Sequence, residues 1–138
     1  MPPKKRTAVV GRVIDGDTFV LLSGERVRLI GIDTPEYEPW KNRVDFYGLE
    51  ASNYSRKLLS DKKVVLEFDV KDKDKYERTL AYVYLEDGEF VNRRLVEEGY
   101  ARAKYYAPNG RYRVIFKEAE EKARLAKKGI WNNAARVP

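Results

Sequence analysis

The chain has 138 residues, which fits a single domain with one core, and its 28 Lys and Arg against 22 Asp and Glu give a net charge of +6. A basic surface favours a polyanionic partner such as nucleic acid, although it can also serve solubility alone. There is no cysteine and no histidine, which excludes disulfides, thiolate zinc sites and triads that need imidazole. Any general base must therefore be a carboxylate, Lys or Tyr, and any metal must be held by oxygen.

The N-terminal residues 1–7 carry a Pro-Pro-Lys-Lys-Arg run at 2–6, which is typical of a disordered basic arm. We therefore expect one domain over residues 8–138. The arm is too polar for a signal peptide, and the longest apolar runs are too short for a membrane span. The protein is expected to be cytoplasmic, or secreted after removal of a signal.

The first strand-like segment is Ala8–Ile14, in which Gly11 predicts a bulge or bend. Two further apolar runs, Phe19–Leu22 and Val27–Ile30, flank Ser-Gly-Glu at 23–25 and predict a β-hairpin. A hairpin returns the chain beside itself, so we expect its outer ends to meet in space.

Two acidic clusters lie at those outer ends, Asp-Gly-Asp-Thr at 15–18 and Asp-Thr-Pro-Glu at 33–36. Taken singly, each cluster fits a solvated turn. Brought together, their carboxylates would repel one another without a cation, and oxygen ligands from two loops suit a hard cation such as calcium. Arg28 lies within the same hairpin. The carboxylates belong to Asp15, Asp17, Asp33 and Glu36.

The middle of the chain combines a loop and a helix. Segment 37–46 is polar and irregular, which predicts a surface loop beside the acidic clusters. A helix is predicted to begin near Tyr47-Gly48, because apolar residues recur there at helical spacing. Its buried stripe is expected to contain Tyr47, Ala51, Tyr54 and Leu58.

The C-terminal half contains two more strands and two more helices. Alternation over Lys63–Val70 predicts a strand whose buried face carries Val64, Leu66, Phe68 and Val70. The other expected elements are a strand over Thr79–Leu85, a helix over Val91–Glu98, an irregular tyrosine-rich segment over Tyr100–Tyr112 and a last helix that stops at Gly129. Together the elements predict an α+β fold, a five-stranded OB-type antiparallel barrel with three α-helices.

Five motifs follow one another along the chain. They are Ile-Asp-Gly-Asp-Thr at 14–18, Arg-Leu-Ile-Gly-Ile-Asp-Thr-Pro-Glu at 28–36, Tyr-Gly-x-Glu-Ala-Ser at 47–52, Asp-Lys-Tyr-Glu-Arg-x-Leu-Ala-Tyr at 74–82 and Val-Asn-x-x-Leu-Val at 91–96. This ordered set, from Val9 to Trp131, resembles the thermonuclease family, the staphylococcal-nuclease-like proteins. The resemblance implies an OB-fold barrel and a calcium-dependent endonuclease that hydrolyses phosphodiester bonds of DNA and RNA to give 3'-phosphate ends.

The resemblance also implies roles for individual residues. The calcium ligands would be the carboxylates of Asp17 and Asp33 and the backbone carbonyl of Thr34, with Asp15 as an outer-shell acid. Glu36 would be the general base, or would orient the attacking water. The remaining implied roles are phosphate binding by Arg28 and Arg78 and lining of the nucleotide pocket by Lys75, Tyr76 and Tyr106.

Two positions depart from the family pattern, and both bear on substrate affinity. Glu77 stands where the family has a glycine, immediately before Arg78. The added negative charge and the lost glycine would affect how that arginine is presented. Lys104 stands where the family often has a pocket tyrosine.

Other interpretations remain open at this point. The chain can be a noncatalytic OB module that binds single-stranded nucleic acid through a basic groove with aromatic platforms, or a barrel for protein interaction. Tyr105 and Tyr106 fit packing as well as base stacking. No obligate protein partner is implied. The arginines can form structural ion pairs instead, Arg28 with Glu25 or Asp33 and Arg78 with Glu77 or Asp74.

Overall fold

The computed structural model describes residues 2–132. Its strands are β1 (Lys5–Asp15), β2 (Thr18–Leu21), β3 (Arg26–Leu29), β4 (Ile32–Asp33), β5 (Tyr37–Glu38), β6 (Arg43–Val44), β7 (Lys63–Glu67), β8 (Thr79–Leu85) and β9 (Arg102–Ala103). Its helices are α1 (Gly48–Leu59), α2 (Val91–Glu97) and α3 (Arg113–Leu125), with short 3-10 turns at Pro39–Lys41 and Gly129–Trp131. None of the helices in the described range combines the length and the apolar character that crossing a membrane requires.

Five strands form a closed barrel in the order β1-β2-β3-β8-β7, with β7 pairing back onto β1. The predicted α+β fold of a five-stranded barrel with three α-helices is therefore confirmed. One detail of the prediction is wrong, because β3 and β8 pair in parallel while the other four pairings are antiparallel. The physical reason is the connection: α1 and β7 carry the chain across the barrel before β8, and parallel strands require such a crossover.

The first strand is longer than predicted at its N-terminal end. Residues 5–7 pair with residues 65–67 of β7, and the Arg6 guanidinium lies 2.7 Å from a carboxylate oxygen of Glu25. The prediction of a disordered arm over residues 1–7 is thus wrong for Lys5–Thr7. The strand continues because the edge of β7 offers free backbone groups there. The register of β1 against β2 shifts beside Gly11, where a bulge is predicted.

The helix α1 buries a different face from the predicted one. Its fully buried side chains are Ala51, Ser52, Ser55 and Leu59, while Tyr54 and Leu58 are partly buried. The shift has a polar cause. The Ser55 hydroxyl donates to the Gly16 carbonyl at 2.6 Å, and the Ser52 hydroxyl donates to Asp15 Oδ1 at 3.2 Å. The helix is thus attached to the first acidic cluster.

Four further segments differ from the sequence prediction. The strand predicted to reach Val70 ends at Glu67, and the Val70 side chain is 73% exposed. The chain turns there because Asp69 accepts hydrogen bonds from the Tyr82 hydroxyl at 2.6 Å and from the Arg111 N–H at 3.1 Å. Segment 37–46, predicted to be irregular, contains the pair β5-β6, and Tyr100–Tyr112, also predicted to be irregular, contains β9, which pairs with β4. The helix α3 ends at Leu125, before Gly129.

Candidate active site

The two acidic clusters meet at one cleft beside the barrel, with a volume of about 360 Å³. β1 and β2 carry the first cluster at their junction, and β4 with the segment after it carries the second. The cleft therefore brings together all the residues predicted to act in catalysis or metal binding. They are Asp17, Arg28, Asp33, Thr34, Glu36 and Arg78.

Asp17 links the two clusters directly. Its Oδ2 accepts the backbone N–H of Thr34 at 3.0 Å, and its Oδ1 accepts the Thr18 hydroxyl at 3.1 Å. Gly16 allows this approach, because a Cβ atom built on it would lie 2.7 Å from Thr34 Oγ1. The sequence spacing Asp-Gly-Asp is thus a packing requirement as well as a turn signal.

Arg28 is held at the back of the cleft by backbone carbonyls. Its Nη1 donates to the carbonyls of Leu29 at 2.7 Å and Ile32 at 3.0 Å. Its Nη2 lies 3.3 Å from Asp17 Oδ2 and 3.2 Å from Asp33 Oδ1. With a side chain only 11% exposed, the guanidinium is fixed between both carboxylates. The ion pair between Arg28 and Asp33, one of the alternatives that the sequence allows, is therefore present.

The carboxylates of the cleft are crowded. Burial and the nearby charge of Asp17 raise the pKa of Asp33, although Arg28 opposes this shift. The same two causes, burial and then Asp17, raise the pKa of Asp15 to about 6. Negative charge at this point is thus only partly balanced by the protein's own cations.

The donor atoms suit a hard cation. Within residues 2–132 no three acidic side chains form a metal cluster by themselves, but the implied ligand set needs only Asp17, Asp33 and the Thr34 carbonyl. All of these donors are oxygens, as calcium prefers. The Thr34 hydroxyl oxygen is buried and has no hydrogen-bond partner in the described part of the chain. A cation here would relieve the crowding between the two aspartates.

Glu36 forms an ion pair with Arg43, a residue that the sequence analysis predicted only to lie in a surface loop. Arg43 Nη2 lies 2.8 Å from Glu36 Oε1 and 2.7 Å from Oε2. The pairing of β5 with β6 brings Arg43 back beside Glu36. The backbone of Glu36 is fixed separately: its N–H donates to Asp45 Oδ2 at 3.0 Å, and a Cβ on Gly48 would lie 2.1 Å from its carbonyl oxygen. No periodicity or motif pointed to the Arg43 contact.

Arg78 is presented by the loop between β7 and β8. Its Nε donates to Asp74 Oδ2 at 2.8 Å, and its backbone N–H donates to Oδ1 at 3.0 Å. Burial of Asp74 opposes ionisation, but hydrogen bonds from the Arg78 and Tyr76 N–H groups and from the Arg78 side chain outweigh it and lower the pKa. Arg26 closes the loop from the barrel side by donating to the Tyr76 carbonyl at 2.8 Å. Of the two ion pairs that the sequence allows for Arg78, with Glu77 or with Asp74, the pair with Asp74 is thus the one that forms.

A second cleft of about 480 Å³ adjoins the first and shares Arg28 and Arg78 with it. It contains the three residues predicted to line a nucleotide pocket, Lys75, Tyr76 and Tyr106. The two tyrosines are 57% and 51% exposed, so part of each ring is accessible to a base. The Arg78 guanidinium lies 5.4 Å from the centre of the Tyr76 ring, and the Lys104 amine lies 5.6 Å from that of Tyr106.

Comparison with known proteins bears on this arrangement. The model of the family described as "Staphylococcal nuclease homologue" matches residues 26–133. The chain belongs to the staphylococcal nuclease homologue family. The resemblance to thermonucleases drawn from the motifs is thereby confirmed.

Relatives of this nuclease-family chain carry consistent names. It is 48% identical over 126 residues to a thermonuclease of Staphylococcus intermedius, covering 89% of this chain and 74% of that protein. It is 44% identical over 132 residues to a thermonuclease of Staphylococcus hyicus, with 94% and 78% covered. An endonuclease of Bacillus subtilis, YncB, is 42% identical over 131 residues, with 91% and 62% covered. Together these matches support a nuclease function.

Proposed function

We propose that the protein is a calcium-dependent endonuclease that hydrolyses phosphodiester bonds of DNA and RNA and leaves 3'-phosphate ends. The observation that carries the proposal is the meeting of Asp17, Asp33 and Glu36 with the guanidinium groups of Arg28 and Arg78 in one cleft. Carboxylates alone would suit cation binding, and arginines alone would suit anion binding. Their combination is what phosphodiester hydrolysis requires.

Asp17, Asp33 and the backbone carbonyl of Thr34 would hold the calcium ion. When bound, this cation polarises the phosphate and screens the charge of the incoming nucleophile. The hydrogen bond from the Thr34 N–H to Asp17 keeps these donors in fixed relative positions. The protein thus prepares the site before substrate arrives.

Arg28 and Arg78 would bind the phosphate oxygens. A guanidinium offers planar paired donors that match a phosphate edge, which a lysine amine cannot reproduce. The carbonyls of Leu29 and Ile32 occupy one nitrogen of Arg28, so its other terminal nitrogen is directed at the acidic side of the cleft. Binding of the phosphate would replace part of the ion pairing that Arg28 and Arg78 now make with aspartates.

Glu36 would accept the proton of the attacking water, because the chain contains no histidine. The carboxylate is 38% exposed at the mouth of the cleft, where water has access. The bond from phosphorus to the 5'-oxygen of the next nucleotide then breaks, and this oxygen takes up a proton from water. Since Arg43 holds both oxygens of Glu36, this contact must loosen for at least one oxygen to receive the proton.

The test is nicking of supercoiled plasmid with calcium or with chelator, together with matched cleavage of RNA. Nicking should require calcium, and Arg78→Ala should slow it about a hundredfold, on the order of 3 kcal/mol. Glu36→Gln should lose most activity, while Glu86→Gln, in an exposed turn, should retain it. Chelator-resistant nicking, or full activity of Glu36→Gln, would contradict the proposal.

The exposed rings of Tyr76 and Tyr106 favour one alternative, a noncatalytic module that binds single strands. Such a module would bind oligonucleotides with a log-log salt slope of about −0.7 per phosphate contact. Its binding would be unaffected by calcium, and no cleavage product would form.

A further inference from the structure

A third groove adjoins the nucleotide cleft. It has a volume of about 300 Å³ and runs between β9 and the first turns of α3. Its exposed polar and aromatic wall contains Lys104, Tyr105, Arg113 and Lys117. Lys104 also lies over the Tyr106 ring of the nucleotide cleft, whereas Tyr105, Arg113 and Lys117 belong to neither the catalytic nor the nucleotide-binding set described above.

The groove is positively charged. Within residues 2–132, the lining of the groove contains three cationic residues and no acidic one. Lys117 pairs with Glu120 at 3.5 Å, but the Glu120 carboxylate also accepts the Ala103 N–H at 2.8 Å. That acid is therefore partly occupied in holding β9 to α3. A polyanion is the ligand that such a lining attracts.

An aromatic platform lies within the same groove. The Arg113 guanidinium stacks at 4.1 Å from the centre of the Tyr105 ring, and the ring packs over Gly110, where a Cβ atom would lie 2.8 Å from Tyr105 Cε1. Tyr105 remains 43% exposed. Because the guanidinium covers one face of the ring, an unpaired base would take its place there, and the displaced cation would hold the phosphate of that nucleotide.

The groove is continuous with the nucleotide cleft, because Gly31 and Asn109 line both. Their common wall is rigid: Asn109 is 4% exposed, and its side chain accepts from the Lys71 N–H and donates to the Lys71 carbonyl, both at 2.8 Å. A strand lying on Tyr76 and Tyr106 can therefore pass along this wall into the groove.

We infer that the groove of Lys104, Tyr105, Arg113 and Lys117 is an additional subsite that binds the next nucleotides of a single-stranded substrate. The inference rests on the proposed nuclease function and extends its nucleotide cleft to strands longer than that cleft alone can hold. An unpaired strand is required because bases in a duplex cannot stack on Tyr105.

The test compares oligodeoxyadenylates of about two and about ten nucleotides, lengths that fill the nucleotide cleft alone or extend beyond it. Binding is measured by fluorescence anisotropy in chelator, and cleavage is measured separately in calcium. Arg113→Ala/Lys117→Ala should weaken binding of the longer strand about tenfold, leave the shorter strand unchanged, and make the log-log salt slope shallower by about 1.4. Tyr105→Ala should also weaken the longer strand selectively, while Tyr105→Phe should not.

The control is Lys122→Ala/Arg124→Ala, which removes the same charge from exposed positions of α3 outside the groove. It should bind both strands as the wild type does. Equal losses for both lengths, equal losses in the control, or no loss in either groove variant would overturn the inference. Thermal unfolding of each variant identifies any that fails to fold. If the protein does not cleave either strand in calcium, the nuclease proposal fails. The binding comparison in chelator still tests whether the groove is a subsite.

Discussion

At the scale of single residues, Glu77 shows how the chain departs from its family pattern without losing the turn. It adopts a left-handed backbone with φ of 65°, and its N–H still donates to the Asp74 carbonyl at 3.1 Å. A left-handed conformation costs a residue with a Cβ about 1 kcal/mol or more, whereas glycine adopts it freely. The backbone at Glu77 therefore keeps the conformation that a glycine would adopt freely, at a cost in stability.

We expect Glu77→Gly to raise the free energy of unfolding by about 0.5 kcal/mol, since the greater flexibility of glycine in the unfolded chain offsets part of the gain. It should also tighten substrate binding, because a carboxylate beside Arg78 is removed. Urea denaturation and KM report the two effects. Asp61→Gly is the matched control, with φ of 63° and the same charge change at an exposed site away from the cleft. Equal KM changes in both variants would show that proximity to Arg78 is irrelevant.

Arg43 is the second residue whose role is visible only in the structure. Its pair with Glu36 is exposed, 58% and 38% for the two side chains, so it is worth roughly 0.5 kcal/mol or less. Removing it in Arg43→Ala should free Glu36 and raise kcat about twofold, with little change in stability. Arg56→Ala, an exposed arginine on α1, should leave kcat unchanged. A fall in kcat would instead mean that Arg43 positions Glu36 productively.

At the scale of elements, Asp69 holds the segment after β7 to β8 and to the residues just before α3. Its carboxylate is 6% exposed and accepts hydrogen bonds from the Tyr82 hydroxyl and the Arg111 N–H. Burial opposes ionisation, but these bonds and the charge of Arg111 outweigh it, so the pKa of Asp69 is lowered. A lowered pKa in the folded state stabilises the fold above the unfolded value, about 3.9, and this contribution is lost as the pH falls through the folded value.

Asp69→Asn should therefore lower the free energy of unfolding by about 1–3 kcal/mol at neutral pH. The difference from the wild type should shrink as the pH falls below about 4. Urea denaturation across that range measures it. Asp87→Asn, in an exposed turn where the carboxylate accepts only the Glu89 N–H among the described hydrogen bonds, should show a small difference at every pH. A pH-independent difference for Asp69→Asn would assign its effect to packing.

The same elements show what sequence reasoning could and could not provide. An apolar run located β3 and alternation located β7, and the outer ends of the hairpin do meet, because local pattern determines local structure. The face of α1 was missed since its contacts are serine hydroxyls bonded to the acidic turn, which apolar spacing does not report. The parallel pairing of β3 with β8 and the contact of Arg43 with Glu36 depend on how distant segments pack, so no local pattern predicts them.

At the scale of the whole molecule, the acidic cleft is formed by residues from three separate parts of the chain. Asp17 belongs to the β1–β2 turn, Asp33 to β4 and Arg78 to the loop before β8. A cation bound between the two aspartates would therefore crosslink parts of the fold that separate on unfolding. Binding to the folded state alone raises the free energy of unfolding, by about 2.7 kcal/mol when the ligand is at a hundred times its Kd.

Calcium should consequently raise the Tm of the wild type by several degrees, an amount that saturates with concentration. The variant Asp17→Asn/Asp33→Asn should lose this response, because its carboxylate ligands are gone. Asp72→Asn, an exposed acid outside the cleft, should keep it. Differential scanning calorimetry with and without chelator measures all three proteins and requires no substrate, so it tests the cation site independently of cleavage. If the three proteins respond equally, calcium binds elsewhere, and the acidic cleft would then have to be explained by the ion pairs of Arg28 alone.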